Sequence, residues 1–472
     1  MIHAFTIGSR NLVLDVGSGS LHQVDDATLD VLRDFDPSQP VRLLRKLSEA
    51  CENVSESGSI FARLNEFPEK SVDESSEIHR EIRSLIEKRQ LFTPDDSQVD
   101  AYMAVRKPVV KALCLHMAHD CNLRCKYCFA GDGTYNANDI DRGLMPLEVG
   151  KKALDFLIEN SGTRRNLEVD FFGGEPMLNF DVIKELVAYG REREVAFGKK
   201  FRFTLTTNGA LLSDEMHDYI NENFDNVVLS LDGRPEVHDR MRVRHDGSGS
   251  YAGISQKVKA LADARNHEKY YVRGTFTRYN LDFAEDVMHL ADLGFKNISM
   301  EPVVAPQEAD YALREEDLPV LFAEYEKLAD LLLKREREGE GVHFFHFEID
   351  LKGGPCIAKR VTGCGAGSEY LAVTPSGQLY PCHQFVGDES FRLGNLETGV
   401  VKQDLIADFS KCHVNAKPEC ISCWAKYYCS GGCMANAHHT HGDILSPDKI
   451  SCELQKKRVE CALYIAAERL VG

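Results

Sequence analysis

Between Lys111 and Pro302 the chain alternates six times between short β-favouring runs and helix-length amphipathic stretches. Strands are expected at Ala112–Met117, Leu167–Phe172, Phe201–Thr207, Val227–Leu231, Tyr270–Thr277 and Asn297–Glu301. Helices are expected near Pro146–Asn160, Asp181–Arg193, Asp214–Asn223, Tyr251–Arg265 and Leu281–Leu293. Strand–helix units in series favour a parallel sheet, because each helix returns the chain to the end where the next strand begins. Ligands in such folds sit at the carboxyl ends of the strands. The loops that follow the strands are therefore where chemistry is expected.

The first of those loops reads Cys121-Asn122-Leu123-Arg124-Cys125-Lys126-Tyr127-Cys128. An iron–sulfur cubane normally takes one thiolate per iron, four in all. This loop offers three, with Tyr127 and Phe129 beside the last, and so leaves one iron for an outside ligand. That is the logic of an open metal site, not a closed structural one. A zinc knuckle or a set of buried thiols is the alternative. Phe172-Gly173-Gly174-Glu175-Pro176 follows the second strand. Its glycines admit a close-lying ligand, and Glu175 suits an ammonium group; alone it reads equally as a turn. Thr206-Thr207-Asn208-Gly209 ends the third strand and Ser230-Leu231-Asp232-Gly233 the fourth. Asn208 and Asp232 serve either as turn caps or as ligand contacts. His238-Asp239-Arg240-Met241-Arg242 comes next, and a guanidinium fork such as that of Arg242 suits a carboxylate. Arg273 on the fifth strand is either part of this site or an ion-pair partner inside the barrel. Arg240 and Arg244 are expected at the surface.

A formal net charge of −18 argues against a nucleic-acid groove and against an anionic membrane surface. No apolar run approaches the length of a membrane span. Met1-Ile2-His3-Ala4-Phe5 lacks the pattern of a signal peptide, so a cytoplasmic location is expected. Fifteen cysteines without a secretion signal favour metal binding over disulfides. Ten of the fifteen lie from Cys356 onward.

Residues 1–95 form a first unit. Asn11–Val16 and Leu21–Val24 read as a hairpin around Gly17-Ser18-Gly19-Ser20. A helix capped by Asp25 or Asp26 follows, then helical stretches at Val41–Ala50 and Glu77–Lys88 with a polar loop, Glu52–Ser59, between them. Thr93-Pro94-Asp95-Asp96-Ser97 reads as a linker. A cap or dimerisation unit without a ligand is one reading of this segment. Residues 311–352 are charged and helical, and the run Lys334–Glu338 is a solvated face.

In the last unit, 353–465, Cys364 and Cys382 flank Gly377. Cys420, Cys423, Cys429 and Cys433 follow at spacings of two, five and three residues, and Cys452 lies eighteen residues on. A pair of zinc ribbons is one reading of such Cys-x2-Cys units. Cys412 stands outside the pattern as a spare ligand or core thiol. Cys51, Cys114 and Cys461 read as buried packing residues. His438, His439 and His441 look like a metal site, but a helix or turn near the cysteine cluster is the plainer reading.

Taken together, the loop Cys121-x3-Cys125-x2-Cys128 and Gly173-Gly174-Glu175-Pro176 resemble the radical S-adenosylmethionine (SAM) enzymes. The cysteines after Cys356 resemble the SPASM domain that some of those enzymes carry. The hairpin and helices at the start resemble the PqqD-like winged helix of peptide-modifying enzymes, which binds a leader peptide by adding a strand to its sheet edge. The fold implied is α/β: a partial (β/α)6 radical-SAM barrel over 105–310, an N-terminal recognition domain over 1–95, a helical linker over 311–352 and a SPASM domain over 353–465. Met1-Ile2-His3, Leu14–Ser20, Gly363–Tyr370 and Tyr380–Gly387 are similar to the maturases of SCIFF (six-cysteine) peptides, which form thioether cross-links.

The resemblance implies three [4Fe–4S] clusters and SAM. Cys121, Cys125 and Cys128 would hold the SAM-binding cluster. Cys420, Cys423, Cys429 and Cys452 would hold one auxiliary cluster, and Cys364, Cys382 and Cys433 the other, with Cys356 or an open iron completing it. Tyr127, Gly173, Gly174, Glu175, Pro176, Thr207, Asn208, Ser230, Asp232 and Arg242 would contact SAM. Implied partners are a cysteine-rich precursor peptide and an electron donor such as flavodoxin or ferredoxin, with no nucleic acid and no membrane. The competing readings are another SPASM enzyme, either a sulfatase-maturing oxidase or a carbon–carbon cross-linking maturase, and a non-enzymatic iron–sulfur electron carrier.

Overall fold

The computed structural model describes residues 1–33, 74–95, 99–135, 143–349 and 357–471. Cys51, Cys356, the helix expected at 41–50 and the loop expected at 52–59 lie outside these residues.

The six expected barrel strands are Ala112–His119, Asn166–Gly173, Lys200–Thr207, Asn226–Ser230, Tyr270–Phe276 and Asn297–Pro302. Each is parallel to the next, and their order in the sheet is their order in the chain. The intervening helices, Leu147–Asn160, Phe180–Phe197, Asp214–Asn223, Tyr251–Ala264 and Phe283–Asp292, cover one face. Residues alternate between the two faces of each strand. Leu167, Val169, Phe171, Phe201, Phe203 and Leu205 pack outward into the helices and are buried. The opposite face carries Asp170, Thr204, Thr206, Ser230, Arg273 and Thr275. The apolar face makes the core, and the polar face lines the inside of the curved sheet.

The sheet does not stop at the first barrel strand. Tyr370–Val373, from the cysteine-rich unit, pairs parallel to Ala112–Leu115 and continues the sheet into Gln378–Tyr380. The Glu369 carboxylate binds Lys111 at 2.6 Å and Arg106 at 2.5 Å across this seam. The C-terminal unit is thus an extension of the barrel sheet, a pairing that cysteine spacing does not reveal.

At the N-terminus, Ile2–Ile7 joins Arg10–Asp15 and Ser20–Val24 in an antiparallel three-stranded sheet. The first of these strands was not anticipated, because its run has no strict alternation. Two helices, Asp26–Arg33 and Glu74–Glu87, accompany it among the described residues. The sheet docks on the final helix, Lys449–Val471, through His3–Glu460 at 2.9 Å and Arg10–Glu468 at 2.6 Å. The His3 ring stacks on Trp424 with centroids 3.7 Å apart. The final helix also packs along Leu318–Arg337, where Arg458 Nε donates to the Tyr325 hydroxyl at 2.9 Å. Among the described residues, no helix is long and apolar enough to cross a membrane.

Phe171 lies between Phe203 and Phe224, with ring centroids 5.7 and 5.9 Å away. Phe171→Ala should destabilise the barrel by about 3–5 kcal/mol, the usual result of emptying a close-packed aromatic site. A large drop in the apparent thermal midpoint of the metal-free protein, followed by circular dichroism, would record it.

Candidate active site

The loop after the first strand carries its three cysteines in a frame built from elsewhere in the chain. Arg124–Cys125 pairs antiparallel with Arg242–Val243, and the Lys126 N–H bonds to the Met241 carbonyl at 2.9 Å. His245 Nε2 lies 3.1 Å from the Cys121 carbonyl oxygen. The segment after the fourth strand therefore staples the cysteine loop from behind.

Beside this loop the second strand ends in two glycines packed against backbone. Gly173 has φ +118, a region that L side chains rarely adopt. A Cβ on Gly174 would lie 2.0 Å from the Asp120 carbonyl oxygen, one residue before Cys121. Glu175 follows and is almost wholly buried. Its carboxylate accepts from the Thr207 hydroxyl at 2.7 Å, the Asn208 N–H at 2.8 Å and the Met177 N–H at 3.1 Å. Burial pushes its pKa up to about 7 against these three bonds. Asn208 Nδ2 donates to the Asn122 side chain at 2.7 Å and lies 3.7 Å from Cys121 Sγ. Glu175, Thr207 and Asn208 are thus brought together at the loop, with Pro176 buried behind them.

Asp232 forms a second centre. Its carboxylate accepts from the Tyr127 hydroxyl at 2.6 Å and the Thr275 N–H at 3.0 Å, and pairs with Arg242 Nε at 3.0 Å. The Arg242 guanidinium also lies over the Tyr127 ring, 5.5 Å from its centroid. His238 Nδ1 lies 3.3 Å from the Asp232 backbone N, and its Nε2 lies 2.9 Å from Ser250 Oγ. Arg242 is therefore engaged with Asp232. Ser230 faces the inside of the sheet opposite Arg273. Arg240 and Arg244 are exposed, as expected.

The chemistry of the donor set can be tested against a cluster. Burial, then Glu175, pushes the Cys121 thiol up to about 12, and burial pushes Cys125 up to about 11 against the pull of Arg242. Three soft donors on one loop fit a cationic iron–sulfur core, because a coordinated thiol gives up its proton. Among the described residues, no three His, Cys, Asp or Glu side chains converge tightly enough to hold a single metal ion.

The C-terminal thiols fall into two neighbour groups. Cys452, pushed by burial up to about 12, feels Cys429, Cys420 and Cys423. Cys382, also raised by burial, feels Cys433 and Cys364. Lys417, which is fully buried, donates to the Gly431 carbonyl at 2.7 Å. Its charge reaches Cys420, Cys429, Cys433 and Cys412, which span both groups. Sequence reasoning missed Lys417, since nothing marks a lone lysine as buried. Cys412, Cys114 and Cys461 are buried. His438, His439 and His441 lie on the helix Met434–His441, where His438 and His439 pack against Phe385.

Inside the barrel the structure adds residues that no motif marked. His116 Nδ1 lies 2.9 Å from His119 Nε2, and both rings stand beside Tyr135. His383, next to Cys382, packs on Phe172 and Phe129. Glu301 sits among His346 at 3.2 Å, Arg458 at 3.6 Å and Arg273 at 3.9 Å. Burial works against its ionisation, but these cations outweigh it and hold the carboxyl well below the usual range.

Residues 115–267, from the first barrel strand to just before the fifth, match the family model described as the Radical SAM superfamily. The chain has relatives among radical SAM enzymes and maturases that modify peptides or proteins. It is 23% identical over 427 residues to the radical SAM cyclopropyl synthase TigE of Paramaledivibacter caminithermalis, covering 83% of each chain. It is 25% identical to a cysteine-type anaerobic sulfatase-maturating enzyme of Clostridium novyi, over 74% of this chain and 94% of that one. Among solved structures it resembles native anSMEcpe with bound AdoMet and the Cp18Cys peptide, with a TM-score of 0.62 and 22% identity. That match covers 76% of this chain and 99% of the other. It also resembles Streptococcus suis SuiB bound to S-adenosylmethionine, with a TM-score of 0.52 and 16% identity over 93% of this chain and 96% of the other. The superfamily uses a [4Fe–4S] cluster and SAM, and SAM is bound in both solved structures.

Glu175 connects this site to stability. Its folded pKa, about 7, exceeds the ordinary 4.5, so the folded state keeps a proton that the unfolded chain releases. The resulting stability is complete below about pH 4.5 and is lost as pH rises through about 7. Glu175→Gln, neutral at every pH, should remove that share of the slope. Thermal midpoints of the metal-free protein measured between pH 5 and 8 would check this.

Proposed function

We propose that this enzyme forms thioether cross-links in a cysteine-rich, ribosomally made peptide, using three clusters. The partition of the C-terminal thiols into one group of four and one of three carries this reading. Four thiolates close a cubane, whereas three leave a position for Cys356 or for a substrate thiolate.

When bound at Cys121, Cys125 and Cys128, the cluster and SAM together supply a 5′-deoxyadenosyl radical on one-electron reduction. The chain's own residues prepare the site. Gly173 and Gly174 keep the wall beside the loop free of side chains. Glu175 presents a carboxylate to the SAM amino group, and Thr207 and Asn208 hold that carboxylate in place. Arg242, held by Asp232 and Tyr127 and paired with Cys125 of the loop, is the cation for the SAM carboxylate. Ser230 lies within the barrel for the ribose.

The N-terminal sheet leaves Ile2–Ile7 and Ser20–Val24 as its outer strands, and a leader peptide adds to one of these edges. Flavodoxin or ferredoxin supplies electrons. Each cross-link replaces one C–H and one S–H with one C–S bond. One hydrogen atom would pass to the deoxyadenosyl radical, giving deoxyadenosine. The thiol hydrogen would leave as a proton, and the remaining electron would go to an auxiliary cluster, so the peptide loses two hydrogens.

The test is an anaerobic reaction of the reconstituted enzyme with SAM, reductant and the small cysteine-rich peptide encoded beside the gene. Mass spectrometry should show the loss of two hydrogens per cross-link, with the affected cysteines no longer open to alkylation. Deoxyadenosine formed with the peptide unaltered would refute the thioether reading. The same mass loss with every thiol still alkylatable would point to carbon–carbon cross-linking. Iron analysis should give three clusters in the parent and two in the Cys121→Ala/Cys125→Ala/Cys128→Ala variant, which should form no deoxyadenosine.

A further inference from the structure

The inside of the curved sheet holds a pair of polar groups that neither the cysteine loop nor the Glu175 and Asp232 centres use. Asp170 lies on the second strand, three residues before Gly173, on the face opposite the outward-packing Val169 and Phe171. Its register neighbours are Cys114 on the first strand and Thr204 on the third. Asp170 Oδ1 is buried and has no hydrogen-bond partner among the described residues. A buried, unpaired carboxyl oxygen is costly, and native proteins seldom keep one without a use.

Arg273 stands on the fifth strand, two strands away from that of Thr204 across the curve of the sheet. Its side chain is half exposed, and its nearest ion-pair contact is the long one to Glu301 at 3.9 Å. Glu301 is already served by His346 and Arg458. The Arg273 charge acts on Asp170 and on His383, whose ring packs on Phe172, two residues along the strand from Asp170. Its donors therefore face the interior, toward the same space as the unpaired Asp170 oxygen. Thr204, Thr206, Thr275 and Ser230 complete a polar lining.

The guest that fits is neutral and carries both a donor and an acceptor. A cationic group would meet Arg273, and an anionic group would meet Asp170 and Glu301. An amide satisfies both: its carbonyl takes the guanidinium donors and its N–H gives to the carboxyl oxygen. We infer that Asp170 and Arg273 bind an amide of the substrate polypeptide where it enters the barrel, and so position the segment to be modified. The inference rests on the reading of the enzyme as a peptide maturase.

The test uses the reconstituted holoenzyme with SAM and a fluorescently labelled copy of the cysteine-rich peptide encoded beside the gene. Anisotropy gives the peptide Kd, and deoxyadenosine and product formation give KM and kcat. Asp170→Ala and Arg273→Ala, in preparations with the parent's iron content, should each raise the peptide Kd at least tenfold, with KM following it. Asp170→Asn keeps an acceptor in place and should recover most of the affinity. If the alanine variants do not accumulate, Asp170→Leu and Arg273→Met, which keep bulk without the polar groups, replace them. A peptide Kd within twofold of the parent's for both positions would overturn the assignment and leave the maturase reading standing. A parent enzyme that neither binds nor alters the peptide would overturn both.

Discussion

One buried carboxylate, Asp232, ties together three parts of the chain that are far apart in sequence. It takes the Tyr127 hydroxyl from the cysteine loop, the Thr275 N–H from the fifth strand and the Arg242 guanidinium from the segment that staples the loop. Each partner is in turn committed. Arg242 begins the short pairing with Arg124–Cys125, and its carbonyl accepts from Ser250, which His238 contacts. Loss of the carboxylate would leave a buried guanidinium without its counter-charge, which destabilises far more than loss of a surface pair. The position of Cys125 therefore depends on a residue more than a hundred positions downstream.

The two faces of the sheet have different tasks. Outward residues are apolar and close-packed, and hold the strands against their helices. Inward residues are threonines, serines, Asp170, Arg273 and Glu301. The polar interior carries Asp170, whose Oδ1 has no hydrogen-bond partner among the described residues. The C-terminal unit shares this interior. It continues the sheet through Tyr370–Val373 and brings His383 against Phe172 and Phe129.

Much of the barrel was legible in the sequence because its signals are local. Period-two and period-3.6 patterns marked the six strands and five helices to within a few residues. The radical SAM motifs were legible because each lies in one contiguous loop at a strand end, and Glu175, Thr207 and Asn208 do meet there. Arg242 shows the limit. Its motif marked it as important, but its partner Asp232 emerged only when two strand ends came together. Ile2–Ile7 was missed because its place depends on pairing with the hairpin, and Lys417 because burial of a lysine follows from packing around it.

The sequence by itself determined the class of chemistry: three thiols on one loop, a Gly-Gly-Glu-Pro turn and a second field of cysteines, all set by short-range spacing. Only the tertiary structure decided which of those thiols are neighbours, that the C-terminal strand extends the barrel sheet, and that Asp170 and Arg273 face one space. Those relations join residues on different strands, where strand register and the curve of the sheet set the distances and spacing along the chain does not.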